Sequence, residues 1–116
     1  MAAPTPTAPA AHHTLVIDIG GTGLKMIVLD EVGTPVNERT RELTPSPAAP
    51  RAVMKVLAKL LTAQPSYARV SVGFPGVVQH GVVRTAPNLG TKAWRGFELE
   101  ESIAKLTGKP TRAVND

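Results

Sequence analysis

The chain has 116 residues, 42% of them apolar and 19% charged, and this balance predicts one folded domain with a buried core. The absence of cysteine excludes disulfides, thiolate nucleophiles and cysteine-ligated metal sites, and it fits a reducing cytoplasm. Aromatic side chains are few and no long apolar run is present, so we expect neither a base-stacking nucleic-acid surface nor a membrane span. The net charge of +4 favours acidic partners only in general terms, because a solubilising surface has the same balance.

A segment rich in Pro and Ala opens the chain. Residues 1–13 read MAAPTPTAPAAHH, in which three prolines oppose a helix and few side chains are large enough to offset the cost of ordering. We therefore interpret residues 1–13 as a disordered tail and residues 14–116 as the folded part. The adjacent His12 and His13 have no further ligands at metal-binding spacing, so we interpret them as solvated rather than metal-bound.

Two strands joined by a glycine turn follow the tail. Residues 15–17 form a short apolar, β-branched run, and residues 24–30 (LKMIVLD) form a second one. Gly20 and Gly21 therefore lie in a hairpin between two strands. Residues 36–43 alternate in a polar pattern that predicts an edge strand.

The remaining elements alternate between helix and strand. Apolar residues at three- and four-residue spacing predict a helix over 51–61, whose opposite side carries a basic stripe that we interpret as a solvated face. We then expect a strand over 68–74, a small hairpin within 77–83, a second helix over 98–107 and a last strand over 111–115. This order predicts an α/β layer arrangement with a mixed sheet.

The segment DIGGTGLK, which runs from Asp18 to Lys25, is the most informative motif. The glycine pair, Gly20 and Gly21, lets backbone N–H groups approach phosphate oxygens, while Thr22 adds a hydroxyl donor and Lys25 a positive charge. Asp18 can hold Mg²⁺ directly or through water. The motif is neither a Walker A loop nor a dinucleotide fingerprint, and an ordinary glycine-rich hairpin is the alternative interpretation.

Two further motifs come after predicted strands. The first is GFPG at 73–76, followed by TAPNL at 85–89, where Gly and Pro are typical of turns. The amide of Asn88 can both donate to and accept from vicinal hydroxyls, as recognition of a sugar requires. The second motif is Asn115-Asp116, where a carboxylate can accept a proton from an attacking hydroxyl and the amide can orient that substrate.

Taken together, DIGGTGLK, GFPG, APN and VND in this order and spacing resemble the ROK family of sugar kinases, within the actin-like ATPase superfamily. The resemblance covers residues 14–116. Gly23, the stretches SVGFPGVV and GVVRTAPN, and Trp94 are similar to the polyphosphate glucokinase branch, which phosphorylates glucose with inorganic polyphosphate and often ATP. The resemblance implies an α/β fold, the N-terminal lobe of an actin-like (RNase H-like) ATPase, with a twisted mixed sheet and flanking helices.

The resemblance also implies roles for individual residues. The loop that handles donor phosphates and Mg²⁺ would comprise five residues: Asp18, which would hold the metal, Gly20, Gly21, Thr22 and Lys25. Gly76 and Asn88 would line the sugar pocket, and Asn115 would contact sugar hydroxyls. Asp116 would touch the sugar as the catalytic base. The reaction would be phosphoryl transfer to the 6-hydroxyl of glucose or a related hexose, in which positioning and charge stabilisation dominate.

ROK kinases continue past the Asn-Asp pair into further sugar-binding residues and a nucleotide-binding C-terminal lobe. By resemblance we expect this chain to be the N-terminal lobe alone, inactive by itself, and the full-length enzyme to be a cytoplasmic homodimer. A sugar-sensing ROK-type transcriptional regulator is less favoured, because the place of its helix-turn-helix holds a Pro/Ala segment. A lobe that binds sugar or polyanions without catalysis is the remaining alternative.

Overall fold

The computed structural model describes residues 11–116 and contains a five-stranded sheet. Along its strands, more buried side chains alternate with less buried ones. The sheet has the order β3-β2-β1-β4-β7, and β5 and β6 form a separate two-stranded hairpin. The strands are β1 (Thr14–Ile19), β2 (Gly23–Leu29), β3 (Thr40–Leu43), β4 (Arg69–Phe74), β5 (Val78–Gln79), β6 (Val82–Val83) and β7 (Thr111–Asn115).

Strand directions bring the chemistry-bearing segments to one edge of the sheet. β2 runs antiparallel to both β1 and β3, whereas β4 is parallel to β1 and β7 is parallel to β4. The carboxyl ends of β1, β4 and β7 therefore meet at the same edge, next to the turn between β1 and β2. In register, Asp18 lies opposite Lys25 on one side and Gly73 on the other.

The helices that lie entirely within the described residues are α1 (Pro50–Leu61), α2 (Thr91–Trp94) and α3 (Leu99–Thr107). α1 buries Val53, Leu57 and Leu60, and α3 buries Leu99 and Ile103. These side chains join the inward-facing strand residues in one core on a single face of the sheet. Within residues 11–116, each helix is too short or too polar to span a bilayer.

The predicted α/β architecture with a mixed sheet is confirmed. Both long helices and the last strand lie within one residue of their predicted bounds. The edge strand predicted over 36–43 was too long, because only Thr40–Leu43 is a strand. Upstream of it, the side-chain Oδ1 of Asn37 accepts the amide of Val28 at 2.9 Å and takes the place of a backbone partner. The short helix α2 was not predicted.

Part of the predicted tail contacts the sheet. Residues 1–10 lie outside the described residues. The carbonyl of His13 accepts the amide of Ala68 at 2.9 Å, and the guanidinium of Arg69 donates to the carbonyl of His12 at 3.4 Å. Ordered contacts thus begin before residue 14, because the residues that precede β1 run beside the start of β4.

Candidate functional site

Two carboxylates approach each other at the carboxyl-end edge of the sheet. Asp18 lies near the end of β1 and Asp116 directly follows β7, with β4 between them. The amide of Asp116 donates to the carbonyl of Phe74 at 3.0 Å, which fixes its backbone. A Cβ at Gly73 would lie 3.4 Å from Oδ2 of Asp116, so this carboxylate extends over the glycine of the intervening strand. The missing side chain at Gly73 lets the two acids meet.

The environment of Asp116 favours its protonated form. The pKa of its carboxyl group is raised above the ordinary value of 3.8, first by loss of solvation, then by the negative charge of Asp18 and by a hydrogen bond between the two side chains. A carboxylate whose proton affinity is increased in this way is a better general base than an isolated one. The arrangement can therefore accept a proton from a hydroxyl group placed beside Asp116.

The same two acids offer oxygen ligands of the kind that Mg²⁺ prefers. No cluster of three metal-ligating side chains is present within residues 11–116. A Mg²⁺ ion held at Asp18 would therefore take its remaining ligands from water and phosphate oxygens, as is usual for Mg²⁺ at phosphoryl-transfer sites. The donor set thus fits the ion.

Hydrogen bonds at Gly20 hold the glycine loop at residues 20–22, whereas Gly21 and Thr22 face solvent. The amide of Gly20 donates to the carbonyl of Gly23 at 3.0 Å, and the hydroxyl of Thr44 donates to the carbonyl of Gly20 at 2.6 Å. Gly21 and Thr22 are exposed, and within the described part of the chain their amides donate to no protein acceptor. Free backbone amides on an exposed glycine loop can bind phosphate oxygens.

The loop that carries Asn88 touches the glycine loop. A Cβ at Gly21 would lie 3.2 Å from the Cβ of Asn88, so the two backbones approach closely. Gly76 permits a second close approach in the same loop, because a Cβ there would lie only 1.9 Å from the carbonyl oxygen of Thr85. Gly76 is buried against backbone, which means that it positions the segment leading to Asn88. The Asn88 side chain itself is exposed beside the glycine loop.

Asn115 stands apart from this group. It lies opposite Phe74 in the register of β7 with β4. Because strand residues alternate between faces, Asn115 lies on the face of the helices and Asp116 on the other face. The two neighbours therefore present their polar groups to different sides of the sheet edge.

A cavity of about 380 Å³ opens on the sheet face opposite the helices. It joins both acids, Asp18 and Asp116, with the positively charged Lys25. The lining residues are Val16, Ile17, Asp18, Lys25, Met26, Ile27, Arg39, Gly73 and Asp116. Sequence reasoning missed three contributors: Arg39, Gly73 as the gap between the acids, and Thr44 as the support of the loop. Gly73 lay within a recognised motif, but Arg39 and Thr44 belong to no local pattern.

Residues 14–116 match the family model described as the ROK family. The chain belongs to the ROK family. Over 114 residues this ROK chain is 40% identical to the polyphosphate glucokinase of Mycobacterium tuberculosis (strain H37Rv), an alignment that covers 97% of the chain and 43% of the relative. The chain therefore spans less than half the length of that relative.

Solved structures share the fold of this chain. The inorganic polyphosphate/ATP-glucomannokinase from Arthrobacter sp. strain KM superposes with a TM-score of 0.78 at 37% identity, covering 90% of this ROK chain and 44% of that one. A ROK family glucokinase from Streptomyces griseus, solved with glucose and AMPPNP, gives a TM-score of 0.75 at 24% identity, covering 89% of this chain and 33% of that one. ROK sugar kinases have an actin-like ATPase fold, and the predicted fold is confirmed.

Proposed function

We propose that this ROK domain is part of a kinase that transfers a phosphoryl group from polyphosphate or ATP to the 6-hydroxyl of glucose. The observation that carries the proposal is the pair of acids, Asp18 and Asp116, brought together across Gly73 beside an open glycine loop. The names of the relatives, a polyphosphate glucokinase and a polyphosphate/ATP-glucomannokinase, support both the hexose and the donors. Homodimer formation and a cytoplasmic location stay predictions from the resemblance.

Each part of the site has a task in this mechanism. The amides of Gly21 and Thr22 bind the donor's terminal phosphate, and Lys25 neutralises its charge. Asn88 hydrogen-bonds sugar hydroxyls, and Asp116 takes the proton from the attacking hydroxyl. A Mg²⁺ ion held at Asp18 would neutralise charge on the transferring phosphate. Because phosphoryl transfer depends mainly on positioning and charge, these residues act by holding donor and acceptor in line.

Replacing Asp116 tests the assignment of the base. In the complete protein that carries this chain, we expect Asp116→Asn to lower kcat by about 10²–10⁴-fold, because the amide keeps the shape but does not accept the proton. Glucose binding, measured by calorimetry, should be retained. Glu31→Gln, an acid-to-amide change in the exposed turn after β2, is the matched control. A kcat above about a tenth of the wild-type value would reject Asp116 as the base.

Replacing Asn88 tests sugar recognition separately. We expect Asn88→Ala to raise KM for glucose more than KM for the phosphoryl donor, because the amide is assigned to the sugar hydroxyls. Steady-state kinetics with each substrate varied in turn gives both constants. An unchanged KM for glucose would leave Asn88 as a turn residue only. Glucose binding without turnover in the wild-type protein would instead favour the non-catalytic or regulatory alternative.

A further inference from the structure

The guanidinium group of Arg41 lies directly over the backbone at Gly23, one residue beyond the glycine loop. A Cβ at Gly23 would lie 2.7 Å from both Nε and a terminal nitrogen of Arg41 and 2.9 Å from Cζ. No real Cβ approaches other atoms that closely, so the guanidinium occupies the space that a side chain at residue 23 would need. Gly23 is buried beneath it, while Arg41 is exposed to solvent.

No carboxylate within residues 11–116 forms an ion pair with Arg41. The ion pairs found within residues 11–116 are Lys59 with Glu42 and Lys105 with Glu101. The ten residues that precede this range contain no Asp or Glu. The five N–H donors of a guanidinium are arranged as a planar fork that matches phosphate oxygens. The guanidinium of Arg41 lies beside the glycine loop with no acid to neutralise it, and it is therefore available to an anion.

Two further cations extend this charge along the same face of the sheet. Lys25 is the register partner of Arg41, and Arg39 lines the cavity together with Lys25. Arg39 directly precedes β3 and is two residues from Arg41. Asp18, the register partner of Lys25, and Asp116, which lines the same cavity, are the acids next to this row, two against three cations. The strip formed by Lys25, Arg41 and Arg39 is thus positively charged on balance.

β3 also connects the strip to the glycine loop. Thr44, directly after β3, donates its hydroxyl to the carbonyl of Gly20 at 2.6 Å and its amide to the carbonyl of Thr22 at 3.2 Å. Arg41 lies within β3, three residues before Thr44. The strip and the loop are therefore held in a fixed relation, and one extended anion can contact both.

We propose that the strip formed by Lys25, Arg41 and Arg39 binds the successive phosphate groups of a linear inorganic polyphosphate whose end lies on the glycine loop. This inference rests on the proposed function and adds to it two binding residues, Arg39 and Arg41, together with a preference for the polymeric donor. A nucleoside triphosphate has three phosphates followed by a nucleoside, so it offers the strip fewer negative charges. The strip therefore contributes more to binding of polyphosphate than to binding of ATP.

Donor kinetics of the complete protein test this strip. We expect Arg41→Ala to raise KM for a polyphosphate of defined length about tenfold, the loss typical of a charge-assisted hydrogen bond, and KM for ATP less than about twofold. Because each lost phosphate contact releases one counterion fewer, the slope of log KM against log salt should fall by about one for polyphosphate. Arg41→Lys should restore part of the loss, since it keeps the charge without the fork.

Two more variants separate this role from a structural one. Gly23→Ala keeps the charge but displaces the guanidinium, so it should raise KM for polyphosphate in the same direction. Arg51→Ala removes an exposed charge from α1, on the other face of the sheet, and should leave both donor constants unchanged. Melting temperatures of all variants identify any loss of folding.

The outcomes distinguish this inference from the proposed function. An unchanged KM for polyphosphate in Arg41→Ala overturns the proposed role of the strip in binding polyphosphate. An equal rise in KM for both donors overturns its preference for polyphosphate. If the wild-type protein forms no glucose 6-phosphate from either donor, the proposed function fails. In that case, calorimetric titration of the wild-type protein and Arg41→Ala with polyphosphate decides whether the strip binds polyphosphate. Tighter binding by the wild type supports this role, and equal or absent binding overturns it.

Discussion

Gly73 decides at the scale of one residue whether two acids from different strands can meet. Asp18 lies in β1 and Asp116 directly follows β7, and these two strands flank β4 on opposite sides. A large side chain on β4 at this level would stand between them. The closest atoms to a Cβ at Gly73 are Oδ2 and Cβ of Asp116, at 3.4 and 3.5 Å, which is ordinary contact. A methyl group therefore fits, whereas a larger group must move the carboxylate.

Gly73→Val should disturb catalysis without preventing folding. We expect kcat of the complete protein to fall by about 10²-fold, the loss that a misplacement of roughly 1 Å produces, while KM for the donor changes little. Gly73→Ala is the matched control and should stay near the wild-type kcat. The melting temperature checks that valine, which favours strands, is accepted in β4. Equal kcat values for both variants would contradict the role of Gly73.

The pKa of Asp116 should respond to the charge at residue 18. Asp18→Asn removes the repulsion between the two acids, so we expect the pKa of Asp116 to fall towards its ordinary value of 3.8. A raised pKa in the folded state gives stability that is complete below the ordinary value and is lost as the pH rises through the folded value. Carboxyl chemical shifts titrated by NMR measure the pKa, with Glu31→Gln as control. An unchanged Asp116 pKa would show that the acids are not adjacent.

At the scale of elements, the short helix α2 anchors the loop of Asn88 to the core. Trp94 at its end is fully buried, with ring centroids 5.1 Å from Phe74 and 5.3 Å from Phe97. Its indole nitrogen donates to the carbonyl of Ala48 at 2.7 Å. This hydrogen bond joins segments 46 residues apart and closes the connection that leads into α1.

Trp94→Phe should therefore destabilise the fold. We expect the free energy of unfolding to fall by about 2–3 kcal/mol, because the smaller ring leaves a void and the carbonyl of Ala48 loses its donor. Urea denaturation followed by circular dichroism measures this change. Tyr67→Phe, at a half-buried aromatic, is the control and should change the free energy by less than about 0.5 kcal/mol. Equal losses in both variants would contradict a special role for Trp94.

The elements also differ in how well they can be predicted from the sequence. α1 and α3 were predictable because their apolar residues follow the helical period, and the glycine loop because its residue types are rare together. α2 has only four residues and depends on the long-range bond of Trp94, which no local pattern reveals. The same holds for Arg41: its position over Gly23 results from the pairing of β2 with β3, not from a motif.

At the scale of the whole molecule, the helices cover one face of the sheet and leave the site open on the other. Asp116, Asn88 and Gly21 are all exposed. Phosphoryl transfer needs donor, metal and hydroxyl held in line where water is excluded, and salt screens charges that face solvent. Within residues 11–116, the proposed site is therefore open to solvent.

A polypeptide of these 116 residues should consequently form no glucose 6-phosphate. The assay contains the pure chain, glucose, Mg²⁺ and either ATP or polyphosphate, and Lys25→Ala serves as the background control. Weak binding of polyphosphate that falls steeply with salt is compatible with this expectation. Product formation above the Lys25→Ala background would show that the 116 residues are sufficient for catalysis.

The position of Trp94 has a practical consequence for spectroscopy. It is the single tryptophan of the chain, and its ring packs on Phe74, the residue whose carbonyl accepts the amide of Asp116. The fluorophore therefore packs on the residue that holds the backbone of Asp116. Its emission should be blue-shifted in the native protein, and any ligand that alters the end of β4 should change its intensity. Binding can thus be followed optically without a label.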